Sequence, residues 1–300
     1  MQYDVIVVGG SYAGMAASLQ LLRARRKVLI IDAGLRRNRF ASHSYGFLGN
    51  DGADPARIAS EARRQLEAYP TYAHVEALAE AASGRGDAFT VVTSDGASYD
   101  GRRLLFATGV SDALPEIDGL AERWGRSVFL CPYCHGYELN RGRVGVIATG
   151  PMSAHQAQLL TEWGEVTFFT NGALALDEPG RADLVSRGVS IETTPVARLA
   201  GHADVELVDG RRLSFAGLFT GSRTAPSTPI AQALGCAIED TPFGTQIRTD
   251  AMKETTVAGA FACGDAARVP HSVSLAVGDG AWAGAQLHRS LVFPPSSQRG

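Results

Sequence analysis

Apolar residues run together through Tyr3–Val8 and again through Val28–Ile31, and the residues from Met15 to about Arg25 between them carry helical spacing. Continuous apolar runs of that length are what a parallel strand covered on both faces requires, so the pattern predicts strand, helix, strand. The same sequence of signals returns in mid-chain: an apolar run at Val144–Ile147, a helical stretch to about Trp163, and a second run at Val166–Phe169. Further short strands are predicted at Leu104–Phe106, Val128–Leu130 and Val257–Ala262, and the tail Pro294–Gly300 reads as disordered. Strands alternating with helices, and a unit that repeats, make this an α/β chain with two similar domains.

The first turn is Gly9-Gly10-Ser11-Tyr12-Ala13-Gly14, and the strand after its helix ends in Asp32. That spacing is the βαβ dinucleotide fingerprint: helix N-terminal amides receive a pyrophosphate and the acid bonds a ribose hydroxyl. Ser11 stands where a second glycine usually lets the backbone approach the phosphates, so the fit is looser there or the hydroxyl takes part. In the repeat, Ala148-Thr149-Gly150-Pro151 replaces the glycine turn, and Thr170-Asn171-Gly172 supplies neither an acid for a ribose nor an arginine for a 2'-phosphate. The second fold is therefore expected to be Rossmann-like in form and degraded as a nucleotide site. The expected division is a discontinuous first domain, 1–112 and 243–300, with a second domain, 113–242, inserted into it.

With 300 residues, 45% of them apolar, the chain is long enough for two cores. A net charge of -3 gives no basic field for nucleic acid or an anionic membrane. No cationic leader and no long apolar run is apparent, so the expectation is a soluble cytoplasmic protein that binds neither. In such a compartment the four cysteines, Cys131, Cys134, Cys236 and Cys263, are not expected to form structural staples.

Two of the cysteines are close: Cys131-Pro132-Tyr133-Cys134-His135-Gly136-Tyr137-Glu138 follows a predicted strand and reads as the start of a helix. Proline suits the first helical position, and a cysteine beside the helix N-terminus has its thiolate stabilised, which marks Cys131 as the attacking sulfur. Glu138, one helical turn after His135, would share its face as an acid/base couple for thiol exchange. Other readings of these residues stay open. C-x-x-C-H is also a haem-attachment signature, although that chemistry needs an exported apoprotein. A zinc site would need two more ligands, so no metal is expected. Two inert helix-face cysteines are the plainest alternative.

Taken together, these motifs resemble the low-molecular-weight thioredoxin reductase family over nearly the whole chain. The resemblance rests on the Gly9–Gly14 turn, Ala107-Thr108-Gly109, the C-x-x-C pair, Gly264-Asp265 and the last helix. It implies FAD as cofactor, a homodimer, and a nucleotide domain that carries the cysteines. By the same resemblance Asp265 would bind the ribitol chain, His271-Ser272-Val273 would lie beside the flavin pyrimidine, and Cys131 would meet substrate while Cys134 serves the flavin. Family reductases carry an aspartate after the second cysteine and an intact NADPH site; this chain has His135 and neither. In that respect it is similar to the dithiol oxidases of the gliotoxin, holomycin and romidepsin type, which implies oxidation of a small-molecule dithiol with oxygen as acceptor. The alternatives are an NAD(P)H- or ferredoxin-dependent disulfide reductase and, from another class, a non-catalytic redox sensor.

Overall fold

A computed structural model describes residues 2–293; Met1 and the tail Pro294–Gly300 lie outside the described residues. The chain opens on β1 (Gln2–Val8), α1 (Tyr12–Arg23) and β2 (Val28–Asp32). The helix starts at Tyr12 rather than at Met15, because Ser11 takes extended angles (φ -88°, ψ -165°) and serves as its N-cap residue. Next come α2 (Pro55–Glu67), β3 (Tyr72–Glu76), β4 (Ala79–Arg85), β5 (Ala88–Thr93) and β6 (Ser98–Phe106). β7 (Val110–Ala113) leads out of this part of the chain.

The middle of the chain holds β8 (Val128–Phe129), α3 (Pro132–His135), β9 (Arg143–Ile147), α4 (Met152–Leu160) and β10 (Glu165–Phe169). It continues through α5 (Glu178–Ser186), β11 (Ser190–Glu192), the antiparallel strands β12 (Val196–Ala200), β13 (Asp204–Leu207) and β14 (Arg212–Ser214), and β15 (Gly217–Thr220). The return runs through β16 (Arg223–Pro226), α6 (Ile230–Leu234), β17 (Ile238–Thr241), β18 (Gly244–Ile247), β19 (Ala260–Ala262) and α7 (Val273–Val292).

Two sheets organise these elements. In the first, β3, β2, β1, β6 and β19 lie side by side and parallel, while β5 and β4 continue antiparallel from the first half of β6. In the second the order is β11-β10-β9-β15-β8, again parallel. The two sheets share one plan with one permutation: the outer strand that comes last in the first unit, β19, corresponds to β8, which comes first in the second. The residues after these two strands are Gly264-Asp265 and Cys131 to Cys134, so the flavin motif and the dithiol occupy equivalent places in the repeat.

The units are Met1–Arg39, Pro55–Ser111 and Thr224–Gly300 for the first, and Phe40–Asp54 with Asp112–Arg223 for the second. The return to the first unit falls at residue 224, not at 243. The reason is packing: Ile230, Ala231 and Cys236 sit in the core formed by Ile6, Leu29, Leu104 and Phe106, whose strands pair in the first sheet. Phe40–Asp54 groups with the second unit, which the strand pattern did not reveal. The second core gathers Val144, Val146, Leu160, Phe168 and Phe219 between its sheet and helices. Among the described residues no helix is long and apolar enough to cross a membrane.

Candidate functional site

In the first unit, three sequence motifs come together at the carboxyl ends of parallel strands, where open α/β sheets bind ligands. The Gly9 amide donates to the Ile31 carbonyl at 2.8 Å, and the Ala107 amide to the Val8 carbonyl at 2.8 Å. A side chain on Gly9, which has φ 104°, would collide with the Ala107 carbonyl, and one on Gly14 would fall on the carbonyl of Gly9. Both glycines are thus demanded by the closeness of strand, turn and helix. A Cβ on Gly10 would lie 2.9 Å from that of Asp32, so the acid sits against the turn; its carboxylate is 3.7 Å from Arg63 of α2. Ser11 makes no capping hydrogen bond, which leaves its hydroxyl uncommitted to the helix. Tyr12 and Ala13 are buried, and the Tyr12 hydroxyl donates to the Pro55 carbonyl and accepts from Asn38. Tyr12 can therefore offer a ligand only its backbone.

Gly264, with φ 68°, would place a Cβ 2.6 Å from that of Ala13, which brings the Gly-Asp turn onto α1. Its amide donates to Asp279 Oδ2 at 2.8 Å, and that oxygen is also 3.0 Å from Lys253 Nζ, a nearly buried ion pair. Lys253 donates further to the Ala267 carbonyl, so the turn is gripped at both ends. Ser272 caps α7 by accepting from the Leu275 amide at 3.1 Å, with Val273 as the first helical residue. Arg37, in the segment that follows β2, donates from one Nη to Asp265 Oδ2 at 3.2 Å and to His271 Nδ1 at 2.9 Å. Thr108 Oγ1 and Asp265 Oδ1 are buried and have no hydrogen-bond partner among the described residues. Buried polar atoms without partners beside a glycine cradle are what a large polar cofactor would satisfy, and FAD, with pyrophosphate and ribitol hydroxyls, fits.

In the second unit, Cys131 and Cys134 are joined as a disulfide, with Cα atoms 5.4 Å apart. Cys131 is the N-cap residue of α3 and Pro132 the first helical residue, as predicted. The helix, however, is one turn long, and a 3-10 turn, Tyr137–Leu139, follows it before Asn140 turns left-handed at φ 51°. Dipole stabilisation of Cys131 is correspondingly that of a single turn. The turn is held from two sides. Gln156 of α4 donates to the Leu130 carbonyl at 2.7 Å, and Tyr133 meets the Trp163 ring edge-on at 5.3 Å. Gly136 has to be glycine, since a Cβ there would lie 2.6 Å from the Trp163 ring. Cys236 and Cys263 are free and buried, and burial pushes both thiols up, which leaves the close pair as the reactive one.

His135 stacks on Phe129 with ring centroids 4.2 Å apart and planes 18° from parallel. Burial against that ring pushes its pKa down to about 4, so the imidazole is uncharged at neutral pH and presents an acceptor. The expected couple with Glu138 is not formed. No hydrogen bond joins the two, and the break from α3 into the 3-10 turn puts them on different helical segments; the Glu138 charge is felt instead by Tyr45, whose pKa is raised by burial first and by Glu138 second. His135 and Glu138 do share an open cleft of about 440 Å³ with Phe40, His43, Tyr45 and Phe129, which neither cysteine lines. Sequence alone missed Phe129 because its stacking partner lies across the dithiol turn, and missed Arg37 because its partners are 228 and 234 residues away.

The degraded turn of the second unit closes on itself. The Ala148 amide donates to the Phe169 carbonyl at 2.9 Å, just as Gly9 does to Ile31. Beyond it the Thr149 amide is taken by Ser153 Oγ at 2.9 Å, and the Ser153 amide by the Gly150 carbonyl at 3.0 Å. Pro151 has no amide to give. At the end of β10, Asn171 Oδ1 accepts from the Val196 amide at 2.9 Å. The Thr149 and Ser153 amides are here bonded within the turn, and Pro151 supplies none.

The family model described as Pyridine nucleotide-disulphide oxidoreductase matches residues 3–280. The chain is similar to Thioredoxin reductase sirT of Leptosphaeria maculans, with 29% identity over 309 residues that cover 95% of this chain and 93% of that protein. It is also similar to the crystal structure of the oxidoreductase from Agrobacterium tumefaciens, at TM-score 0.96 and 55% identity over 98% of this chain and 100% of that one. The crystal structure of HlmI aligns at TM-score 0.89 and 34% identity, over 97% of this chain and 93% of that one. These matches agree with the relationship implied by the motifs, and FAD is the cofactor of the group. The chain belongs to the pyridine nucleotide-disulphide oxidoreductase family and is an FAD-dependent disulfide oxidoreductase.

Proposed function

We propose that this enzyme works in the oxidising direction, converting a small-molecule dithiol to its disulfide and delivering the electrons to oxygen. The observation that carries the reading is the turn at Thr149–Ser153, where the Thr149 amide is bonded within the turn and Pro151 has none, which makes it a poorer nest for the phosphates of NAD(P)H than the Gly9–Gly14 turn. A substrate thiolate attacks Cys131 Sγ, the Cys131–Cys134 bond breaks, and Cys134 leaves as thiolate. The second substrate thiolate then attacks the substrate sulfur of the mixed disulfide, which releases product and leaves both cysteines reduced. His135, uncharged and beside Cys134 in the chain, accepts a hydrogen bond from a substrate thiol; Glu138, exposed on the same cleft, passes protons to water. The cleft bounded by Phe40, Tyr45 and Phe129 is where we place the substrate's apolar body. Gly9, Ser11, Tyr12, Ala13 and Gly14 would hold the cofactor's pyrophosphate through backbone, with Asp32 on the adenosine ribose. Ala107, Thr108, Gly109, Gly264, Asp265, His271, Ser272 and Val273 would take its ribitol and ring. The chemistry that FAD would supply when bound is acceptance of two electrons from the reduced cysteine pair, which returns to the disulfide, and their passage to oxygen as hydrogen peroxide. The working form is a cytoplasmic homodimer, which sedimentation of the pure enzyme tests.

A second reading, reduction of a disulfide with NAD(P)H, is favoured by the name of the relative sirT and by the intact second sheet. Oxygen uptake with dithiothreitol or a small aromatic dithiol, with one peroxide formed per disulfide, is the outcome expected of the oxidase. Disulfide reduction that depends on NADPH would give the enzyme the second assignment.

A further inference from the structure

The Gly264-Asp265 turn is gripped from behind through its backbone: Asp279 takes the Gly264 amide and Lys253 takes the Ala267 carbonyl. Neither contact reaches the Asp265 carboxylate. The group that does is Arg37, which follows β2 in the chain, and the same Nη that touches Asp265 Oδ2 also touches His271, just before α7. A guanidinium only donates, so both partners accept from it. With Oδ2 committed, Oδ1 is the oxygen left over, and it is buried without a hydrogen-bond partner among the described residues. One side chain thus joins three segments and decides which carboxylate oxygen stays available.

We propose that Arg37 is a positioning residue for the cofactor: it turns the Asp265 carboxylate so that Oδ1 faces the ribitol hydroxyls, and it fixes that carboxylate to the start of α7 through His271. The proposal rests on the reading of Asp265 as a ribitol ligand. Arg37 then contributes to FAD affinity only through Asp265. Lysine would serve less well in its place, because the N–H directions of a guanidinium nitrogen are fixed in its plane, whereas an ammonium on a flexible stem is a freely rotating point charge.

The test is FAD titration of deflavinated protein, followed by quenching of flavin fluorescence, for the wild type and for Arg37→Gln, Asp265→Asn and the double variant. Arg37→Gln is expected to weaken FAD roughly tenfold, the scale of one charge-assisted hydrogen bond. Asp265→Asn should weaken it at least as much, and the double variant should be no weaker than Asp265→Asn alone, because a residue acting through another has nothing left to position. Arg37→Lys should recover part of the loss. Additive losses in the double variant, or wild-type affinity in Arg37→Gln, overturn the proposal. Wild-type affinity in Asp265→Asn overturns the underlying reading of Asp265 instead. Should Arg37→Gln fail to fold without flavin, Arg37→Lys alone and combined with Asp265→Asn completes the same cycle, and additivity there rejects the proposal equally.

Discussion

His135 offers a prediction whose sign and size follow from its surroundings. Free histidine titrates near 6.5, whereas burial against Phe129 holds His135 down to about 4. Between those values the unfolded chain binds a proton that the folded chain refuses, so stability falls as pH drops from 6.5 towards 4 and is fully present only above 6.5. The gap corresponds to a ceiling of about 3 kcal/mol. Because the ring keeps partial access to water, screening reduces this to about 1.5 kcal/mol. The assay is urea unfolding of the FAD-loaded enzyme at pH 7.5 and pH 4.5, for the wild type and for His135→Gln. Glutamine does not titrate, so the variant should lose about 1.5 kcal/mol less than the wild type over that range. His74, which burial also lowers, is common to both proteins and cancels. Parallel losses in the two proteins, or a histidine resonance of residue 135 that titrates near 6.5, would refute the reasoning. The same neutrality means that dithiol oxidation should show no histidine-like fall in rate between pH 7 and pH 5.

Three further substitutions probe the scaffold and the chemistry. Gly280→Val puts a side chain onto the Ala13 carbonyl and should drive α7 off α1, at a cost of about 3 kcal/mol in chemical denaturation. Lys253→Met leaves Asp279 buried without its cation and should cost roughly 3 to 5 kcal/mol; adding Asp279→Asn should return part of that. Cys134→Ser prevents the disulfide from forming and should lower turnover with dithiols by on the order of a thousandfold or more, as loss of a covalent catalyst does. Normal oxidation by that variant would remove the cysteine pair from the mechanism.

The strands and helices that carry the site were legible because parallel strands buried on both faces leave unbroken apolar runs, and the turns between them need glycine where backbones touch. Gly9, Gly14 and Gly264 are such positions, each facing a neighbour that a Cβ would strike. The repeat was legible for the same reason, at Val144–Ile147 and Val166–Phe169. Its permutation was not, since β8 is only two residues long and the order of strands in a sheet leaves no local mark. The return at residue 224 was hidden because Ile230, Ala231 and Cys236 are as apolar as any second-unit segment, and only the core they join tells them apart. The His135 and Glu138 couple failed because helical spacing was extended past Gly136, where the chain leaves α3. Arg37 stood in plain view as part of an arginine-rich segment, yet nothing local distinguishes a solvated arginine from one paired across the fold.

The direction of electron flow is the claim on which the functional account turns. Anaerobic stopped-flow mixing of the FAD-loaded enzyme, first with NADPH and then with dithiothreitol, follows the flavin absorption band directly. The account expects the band to persist through NADPH, to bleach with dithiothreitol, and to return when oxygen is admitted. Bleaching by NADPH at the rate of turnover would contradict it, and would make the closed turn at Thr149–Ser153 a nucleotide site after all.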